Sequence, residues 1–435
     1  MSFAEVGARI DSMRDELVAE ISRAVRIESV NPKYPGQVYE DVVGGEGEVS
    51  KLMGEIYRGL GAEVDLFAIE PGRENAVGTV RGTGGGRSLI YNGHVDVVPP
   101  GDPANWTSGG PFSGTIDADR VWGRGATDMK AGILAQAFAA RALGECGVRL
   151  KGDLILQSVV GEEVMESECG VTAAVKRGYR ADAAVVSEPS SPPAPLAVVP
   201  VSPGLLWFSV TVTGKASHAS MRGPSMRAGG DASIAVNAID KGILIYQAIR
   251  QLEDEWGLTK QHPLFGPGHF TIHPGVITGG PHGVLVPFVV PEFLTLEYCC
   301  WYHPDEDPAD VKREIEVHVA TAAQLDGWMR LHPPKLEWKM NWPANRPEAD
   351  EITEAMCVAH EQAAIGTRFA GRPAICGFAA VEDASFLTLG GTPAISYGPG
   401  DLRVAHADDE YVLIDEVMCA TRAYAALAMD WCGVT

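Results

Sequence analysis

The sequence predicts an α/β fold in which a sheet is sandwiched by helices and a smaller α+β domain is inserted into the chain. In the first half of the chain, short apolar runs alternate with helical patterns, which is typical of a sheet covered on both faces. The insertion is indicated by SEPSSPPAPLAVVPVSPG, where four prolines within seven residues interrupt the alternation. We therefore assign residues 1–202 and 343–435 to a main domain and residues 203–342 to the insertion.

The main domain begins with an alternation of helices and strands. A helical stripe runs from Val49 and is closed by Gly61. Three apolar runs are short enough for buried parallel strands, namely SLIYNG, LILQSVVG and AAVVSE. An amphipathic helix from about Met129 to Leu143 lies between the first two runs. Strands that alternate with helices in this way predict an α/β sheet.

The insertion has a different pattern, since LLWFSVTVTG alternates between apolar and polar residues as a half-solvated strand does. We predict a helix at about Asp231–Trp256, strands around HFTIHPGVITGG and EFLTLEYCCWY, and a charged helix at about Pro308–Leu325. This set of elements makes a small α+β domain. After about Pro343 the α/β pattern resumes, with a helix near Glu348–Ile365 and the strand TPAISYG.

The chain is acidic, with 35 Lys and Arg residues against 57 Asp and Glu residues and a net charge of −22. This charge argues against nucleic acid or an anionic membrane as a partner, because both are negatively charged. The chain has no apolar run of ~20 residues, and MSFAEVGARIDSMRDEL carries acids where a signal peptide would be apolar. Eight cysteines without a CxxC pair indicate neither a disulfide scaffold nor a thiolate zinc site. We expect a cytoplasmic protein.

Candidate metal ligands follow each of the three buried runs. SLIYNG leads into His94 and Asp96. LILQSVVG leads into Glu162 and Glu163, and AAVVS leads into Glu188. In open α/β sheets, ligands bind outside the carboxyl ends of the strands, so these side chains are predicted to converge in one crevice.

Two further motifs contribute candidates. GRGATDMKAG places Asp128 just before a helix, and YGPGDLRVAHADDE places His406 in a loop after the strand TPAISYG. Each candidate alone has an ordinary structural explanation; an aspartate before a helix, for example, usually serves as an N-cap. Five such groups at strand ends or in the loops that follow them favour a functional site instead.

The ordered motifs HVDVVPPG, GRGATDMKAG, GEEVMESECG, SEPS and GPGDLRVAHADDEYV resemble those of the M20 metallopeptidases and deacylases. This family includes acetylornithine deacetylase, succinyl-diaminopimelate desuccinylase and carboxypeptidase G2. The resemblance covers nearly the whole chain. It implies a metal-dependent hydrolase in which residues 1–202 and 343–435 form the catalytic metal-binding domain. It also implies that residues 203–342 form a lid and dimerisation domain, and that the protein is a homodimer.

The resemblance further implies a site for two divalent metal ions. Asp128 would bridge both ions. His94 and Glu188 would complete the coordination of one ion, while Glu163 and His406 would complete that of the other. The ligand atoms are all nitrogen or oxygen, which fits Zn²⁺ first and tolerates Mn²⁺ or Co²⁺.

Three more residues receive roles from the same resemblance. Asp96 would hydrogen-bond the other ring nitrogen of His94 and so fix its tautomer. Glu162 would be the general base. His218, which follows a strand in TVTGKASHAS, would reach the partner subunit's active site and stabilise the developing oxyanion. The family also often has a cis peptide after the bridging aspartate, which is the Asp128–Met129 bond here.

The charges of such a site favour hydrolysis. Three ligand carboxylates contribute −3 against +4 from two divalent ions, and a bridging hydroxide neutralises the remaining +1. Metal binding lowers the pKa of water to about 7, which generates a nucleophile at neutral pH. Glu162 would take the proton as hydroxide attacks a carbonyl carbon and would pass it to the departing nitrogen.

The substrate-holding positions depart from the pattern of the deacylases. Those relatives carry an arginine that grips the substrate carboxylate, and the aligned position here in EYCCWYHPDED is Trp301. Relatives also often have an asparagine before a Val-Pro pair, where this chain has Gly283 and Val284. A flat apolar face suits an aromatic or amide-bearing group better than a free carboxylate. Two alternatives stay open: compensation by Arg222 or Arg227, or a role for Trp301 in the core of the insertion.

We predict a binuclear-metal hydrolase that cleaves a C–N amide bond of a small molecule. One alternative is a hydrolytic deaminase that acts on an activated aromatic amine, because the same hydroxide could attack such a carbon. Another is a dipeptidase or carboxypeptidase. A third is a non-catalytic binding protein on the same fold, against which the complete set of ligands and Glu162 argues.

Overall fold

The computed structural model describes residues 2–226, 231, 233–284, 286–347 and 350–435. They form two compact units. The first unit comprises Met1–Ser202, Asn345–Phe378 and Glu382–Thr435, and the second comprises Pro203–Ala344 with Ala379–Val381. The catalytic and lid roles expected for the two parts of the chain stay predictions.

The described residues of the two units together form fourteen strands and twelve α-helices. In chain order, the strands are β1 (Glu63–Ala68), β2 (Glu74–Val80), β3 (Leu89–His94), β4 (Arg120–Trp122), β5 (Leu154–Val159), β6 (Ala183–Val186), β7 (Val198–Val201), β8 (Gly204–Thr213), β9 (Ile272–Gly280), β10 (Phe293–Tyr302), β11 (Lys335–Trp342), β12 (Ile375–Gly377), β13 (Ala394–Ser396) and β14 (Tyr411–Leu413). The helices are α1 (Phe3–Ser12), α2 (Arg14–Val25), α3 (Tyr39–Val42), α4 (Gly45–Gly59), α5 (Ala131–Glu145), α6 (Val171–Lys176), α7 (Arg222–Met226), α8 (Ala238–Thr259), α9 (Pro308–Gln324), α10 (Asp350–Ala363), α11 (Ala384–Leu389) and α12 (Ile414–Cys432).

Among the described residues, the first unit is built on a mixed sheet of eight strands in the order β1-β2-β5-β3-β6-β13-β7-β12. β3 lies between β5 and β6 and is parallel to both, so the carboxyl ends of these three strands share one edge of the sheet. β13 continues the parallel set beside β6. Helices α4, α5, α11 and α12 pack against this sheet. The predicted α/β fold, a large sheet flanked by helices, is confirmed.

Every residue of β3, β5 and β6 is buried. The apolar runs of these strands are continuous rather than alternating because both faces of a parallel sheet are covered. Polar side chains of neighbouring strands contact one another inside the sheet; the amide of Asn92 of β3, for example, donates to Oε1 of Gln157 of β5 at 3.0 Å. The three predicted strands are confirmed, and β3 extends as far as His94.

The proline-rich segment contains a strand that was not predicted. β7 lies there and includes Pro200, yet it belongs to the large sheet. The β7–β12 ladder shifts register around this proline, and β7 pairs with β13 only through Val199 and Ser396. Because the ladder is already irregular, a residue without an N–H group is tolerated at this position.

The second unit contains an antiparallel sheet in the order β11-β8-β10-β9. Alternate residues of β8 and β10 are buried in a core shared with α8 and α9, which includes Phe208, Leu296, Ile245 and Ile315. The intervening residues of β10 are only half-buried. The helices therefore cover one face of this sheet, as expected for an α+β arrangement.

Helix α8 of the second unit starts later than predicted. It was expected from Asp231 but begins at Ala238. The side chain of Asn237 accepts the N–H groups of Ile239 and Asp240 and caps the helix at that point. The described residues 233–236, just before the cap, are not helical.

Strand β11 was also missed by the sequence analysis. It lies at an edge of the sheet and alternates between half-buried and exposed residues, so KLEWKMNW lacks the apolar density of a buried strand. Farther along the chain, the helix predicted near Glu348–Ile365 is observed as α10, and Glu348 itself lies outside the described residues.

Candidate active site

Side chains from several segments of the first unit meet at the carboxyl edge of its sheet. They are His94 at the end of β3, Asp128 before α5, Glu162 and Glu163 after β5, Glu188 after β6, and His406 between β13 and β14. The convergence follows from the parallel arrangement of β3, β5 and β6, whose ends lie side by side. The structure thus brings together the residues that the sequence analysis selected as ligands and general base.

Asp128 is the centre of this cluster. Its Oδ1 lies 3.0 Å from Nε2 of His94, and its Oδ2 lies 3.3 Å from Nε2 of His406. Each oxygen of the carboxylate therefore faces a different histidine. The peptide bond between Asp128 and Met129 is cis, as the family resemblance implied.

The remaining acids divide between the two histidines. Oε1 of Glu188 lies 3.7 Å from Nε2 of His94, whereas Oε2 of Glu163 lies 3.1 Å from Nε2 of His406. Oε2 of Glu162 lies 4.0 Å from Nε2 of His94. One donor atom each from His94, Asp128 and Glu163 fall within 4.8 Å of one another.

The three glutamates of the cluster are held where their negative charge is disfavoured, whereas the hydrogen bonds that Asp128 accepts from His406 and His94 outweigh burial and lower its pKa. Burial raises the pKa values of Glu162 and Glu188 well above their usual range, and neighbouring carboxylates add to the effect. Burial also raises the pKa of Glu163, and the charge of Asp128 raises it further. Oε1 of Glu163 is buried without a hydrogen-bond partner among the described residues.

The pKa values of the two histidines are also raised, which favours their positively charged form. Burial lowers the pKa of His94, but the hydrogen bond that His94 donates to Asp128 and the charge of Glu188 outweigh it and hold the pKa well above its usual value. Burial likewise opposes protonation of His406, yet its contacts with Asp128 and Glu163 raise its pKa to about 11. The cluster as a whole therefore attracts positive charge.

A divalent cation fits this set of donors. Positive charge relieves the repulsion among buried carboxylates, and the donors are the imidazole nitrogens and carboxylate oxygens that Zn²⁺ accepts. Within the described parts of the chain, His94, Asp128 and Glu163 are the one group whose donor atoms lie close enough together to hold a metal ion.

Asp96 contacts His94 differently from the expectation. Nδ1 of His94 lies 3.0 Å from the backbone oxygen of Asp96, while the Asp96 carboxylate is 3.8 Å away, too far for a hydrogen bond. With Nδ1–H donating to this carbonyl, Nε2 is the ring nitrogen that faces Asp128, and its lone pair would be available to a metal ion that took the place of the Nε2 proton. The backbone of Asp96, rather than its side chain, thus fixes the tautomer.

The Asp96 carboxylate instead holds the turn that carries Glu162 and Glu163. Its Oδ1 accepts the N–H of Gly161 at 2.9 Å and that of Glu162 at 3.4 Å. Its Oδ2 accepts the N–H of Glu163 at 3.1 Å and the side-chain amide of Asn31 at 2.9 Å. With four donors around it, this buried carboxylate has no oxygen left for the His94 ring.

The same turn is anchored at its far end. Gly161 has φ +88°, and a Cβ there would lie 2.9 Å from the backbone oxygen of Glu166, so only glycine suits this position. The Glu166 side chain accepts from Arg73 at 2.7 Å. Arg73 is buried and also donates to both oxygens of Glu46, at 2.6 and 3.0 Å.

The sequence analysis missed Asp383, which lies between β12 and α11. Its carboxylate is buried, and neither oxygen has a hydrogen-bond partner among the described residues. Burial raises the pKa of Asp383 to about 7, and the charges of His94 and Asp96 act on it with opposite signs. No strand-end pattern marks VEDASF, so no local signal pointed to this residue.

His218 belongs to the second unit, where it is exposed after β8. Its Nδ1 accepts the N–H of Ser220 at 3.2 Å, so the ring proton of the neutral imidazole is on Nε2. This geometry leaves an N–H donor available to a ligand.

Trp301 is also in the second unit. It is half-buried on β10, on the face opposite the helix-covered core, whereas its neighbour Tyr302 is part of that core. Arg222, one candidate for a compensating cation, pairs with Asp240 at 2.9 Å. Arg227, the other candidate, lies outside the described residues.

The described residues contain no helix that is both long and apolar enough to span a membrane.

Comparison with known proteins gives a consistent family. The model of peptidase family M20/M25/M40 matches residues 90–430. The chain is 31% identical over 442 residues to an N-formyl-4-amino-5-aminomethyl-2-methylpyrimidine deformylase of Halalkalibacterium halodurans, covering 98% of this chain and 97% of the relative. It is 32% identical to the Bacillus subtilis deformylase of the same name over 86% of this chain and 87% of the relative. An M20 family metallo-carboxypeptidase of Sulfolobus solfataricus shares the fold, with a TM-score of 0.68 at 18% identity, covering 96% of this chain and 99% of that one.

Proposed function

Because the chain belongs to peptidase family M20/M25/M40, whose members are metal-dependent hydrolases of amide bonds, we propose that it removes a formyl group from an aminomethyl-pyrimidine. The observation that carries this proposal is the alignment with two deformylases over most of the chain. A formamide is a C–N amide of a small molecule, the class of bond that the sequence analysis selected. Water would be added across that bond to give formate and a free amine.

The proposal includes two metal ions that share Asp128. It is supported by the way the two oxygens of Asp128 face different histidines. Glu188 lies on the side of His94, and Glu163 lies on the side of His406. Bound divalent ions, Zn²⁺ first with Mn²⁺ or Co²⁺ as alternatives, would polarise the formyl carbonyl and lower the pKa of water to about 7.

Glu162 would move the proton. Its carboxylate is buried beside His94, and burial raises its pKa well above the usual value, which makes it a better proton acceptor than an exposed glutamate. In the proposed reaction it takes a proton from the attacking water and delivers it to the departing nitrogen. Asp96 holds the backbone of this glutamate through the N–H groups of the turn.

Two residues of the second unit would bind the substrate. The indole of Trp301, half-buried outside the core of the second unit, would stack on the pyrimidine ring, and such a stack adds ~0.5–1.5 kcal/mol beyond burial. His218 would donate its Nε2–H to the developing oxyanion in the partner subunit's active site, which is consistent with the acceptor role of its Nδ1.

A homodimer is part of the same proposal. β9 is an edge strand of the second-unit sheet and exposes Val276 and Ile277. The adjacent helix α8 exposes Ile239 and Ile243. An exposed apolar strand edge beside an apolar helix face is suited to pairing with a second copy. Sedimentation analysis tests the predicted dimer.

We also place the enzyme in the cytoplasm. All eight cysteines are free thiols, and six of them are buried. Unpaired thiols are typical of proteins in a reducing compartment. Cell fractionation against a cytoplasmic marker enzyme tests this location.

The reaction is tested with N-formyl-4-amino-5-aminomethyl-2-methylpyrimidine as substrate, after separate addition of Zn²⁺, Mn²⁺ and Co²⁺. We expect formate and the free amine in equal amounts. Ammonia without formate would instead show hydrolytic deamination of the ring amine. Efficient cleavage of dipeptides with no formate from the pyrimidine would overturn the deformylase assignment in favour of a dipeptidase.

A matched pair of variants ties the activity to the site. Glu162→Gln should lose turnover, whereas Glu168→Gln should not, because the Glu168 side chain is 69% exposed and pairs only with Lys176 among the described residues. Equal activity of the two variants would show that the measured hydrolysis does not depend on Glu162.

A further inference from the structure

Glu410 is a buried acid that the proposed chemistry does not use. It directly precedes β14, and its side chain is fully buried. Its Oε1 accepts the backbone N–H of Thr127 at 3.0 Å and that of Asp128 at 3.2 Å. Its Oε2 accepts from Nη1 of Arg124 at 2.5 Å. One carboxylate thus binds two consecutive N–H groups of the segment that carries the central acid of the site.

The two N–H groups need an acceptor from another part of the chain. Asp128 has φ −124° and ψ 92°, so the segment before α5 is not helical and cannot satisfy its own amides in the helical pattern. Without Glu410 these buried donors would lose their acceptor, and the backbone at Asp128 would be free to shift. A shift there would move the Asp128 carboxylate directly.

The same contact ties Asp128 to the loop of His406. Glu410 follows His406 in this loop, and its backbone oxygen accepts the N–H of Gly123 at 2.8 Å. The hydroxyl of Thr127 donates to the backbone oxygen of Tyr411 at 2.8 Å, and β14 pairs with β4. The segment around Glu410 therefore fixes where Asp128 lies relative to His406.

We propose that Glu410 is a positioning residue that holds the Asp128 carboxylate between His94 and His406 through the N–H groups of Thr127 and Asp128. It contacts neither substrate nor metal in this role. Its effect is on metal affinity, and losing such an outer partner typically weakens metal binding by about 10–100-fold. The inference rests on the proposed metal site, but not on the identity of the substrate.

Replacing Glu410 alone would leave the buried Arg124 without its partner and destabilise the fold for an unrelated reason. The test therefore compares Glu410→Gln/Arg124→Gln with Glu410→Met/Arg124→Gln. Both double variants remove both charges, and they differ only in whether residue 410 offers an oxygen to the two N–H groups. Circular dichroism must show that both metal-free variants remain folded at the assay temperature.

The first readout is the dissociation constant for Zn²⁺ and for Mn²⁺, measured by competition with a chromogenic chelator in the absence of substrate. We expect the Glu410→Gln/Arg124→Gln variant to stay within about threefold of the unmodified protein, and the variant with methionine to bind about 10–100-fold more weakly. Equal affinities in the two double variants would overturn the proposal. If both affinities were equal and also lower than that of the unmodified protein, the proposal would likewise be overturned, because the lost charge rather than the lost acceptor would be responsible.

The second readout does not involve metal. Hydrogen exchange of the peptide that spans Thr127 and Asp128 should stay slow with glutamine at position 410 and become fast with methionine. Unchanged protection in the methionine variant would refute the contact as the holding element. Because neither readout uses a substrate, failure of the deformylase assignment would leave both results interpretable, whereas an unmodified protein without metal affinity would overturn the metal site itself.

Discussion

Replacing Asp96 with asparagine tests how the structure holds the turn that carries Glu162 and Glu163. The carboxylate accepts four donors, two on each oxygen, from Asn31 and from the N–H groups of residues 161, 162 and 163. An amide has only one acceptor oxygen, so two of these donors lose their partner whichever way it is oriented. The Asp96→Asn variant keeps the size of the side chain but removes its negative charge and one of its two acceptor oxygens.

The expected loss of unfolding free energy follows from these contacts. A hydrogen bond to a charged group contributes about 1.5–3 kcal/mol, and two losses at the lower end amount to about 3 kcal/mol of unfolding free energy. The turn that loses them carries Glu163, so metal affinity should also fall by about 10–100-fold. The backbone oxygen of Asp96 is unchanged, and we therefore expect the Nδ1 contact of His94 to persist.

The assay combines urea unfolding of the metal-free protein, metal competition, and hydrogen exchange of the peptide containing residues 161–163. Asp102→Asn is the control, because the exposed Asp102 carboxylate accepts only the N–H of Ala104 among the described residues, and asparagine caps a helical turn as well as aspartate does. The reasoning is refuted if Asp96→Asn weakens metal binding while the exchange of residues 161–163 and the unfolding free energy stay at their unmodified values. That pattern would mean that the carboxylate acts on His94 after all.

Four further predictions concern the proposed reaction. Chelation should abolish activity, added Zn²⁺, Mn²⁺ or Co²⁺ should restore it, and elemental analysis should approach two ions per chain; full activity without metal would refute the mechanism. Glu162→Gln should retain metal and lose turnover by orders of magnitude, whereas Glu163→Gln should lose metal, and identical behaviour would contradict their separate roles. Mixing Glu162→Gln chains with His218→Ala chains should recover about a quarter of the activity if His218 acts across a dimer, and no recovery despite confirmed subunit exchange would exclude that. Trp301→Arg should raise KM for the formylated pyrimidine, and ordinary efficiency of the unmodified enzyme on N-acetylornithine, about 10⁴ M⁻¹s⁻¹ or more, would contradict the stacking role.

The α/β class and the main candidate ligands were predictable because their signals are local. A buried parallel strand leaves a continuous apolar run in the sequence, and the residue at its end is read directly from that run. This is why His94, Glu163 and Glu188 could be selected before any contact was known. The edge strand β11 and the late start of α8 were not predicted, since an exposed alternation and an asparagine cap give weaker signals.

Tertiary structure alone decided what holds these candidate ligands in place. The carboxylate of Asp96 is bound by Asn31 and by the turn after β5, each 65 or more residues away in sequence, and Glu410 accepts from Thr127 across 283 residues. Asp383 lies in an irregular segment and becomes part of the surroundings of the site only through folding. A sequence pattern reports the residues near each ligand along the chain. The groups that accept hydrogen bonds from the backbone N–H groups around each candidate ligand lie on distant segments of the chain. Only the packed sheet determines which segments those are.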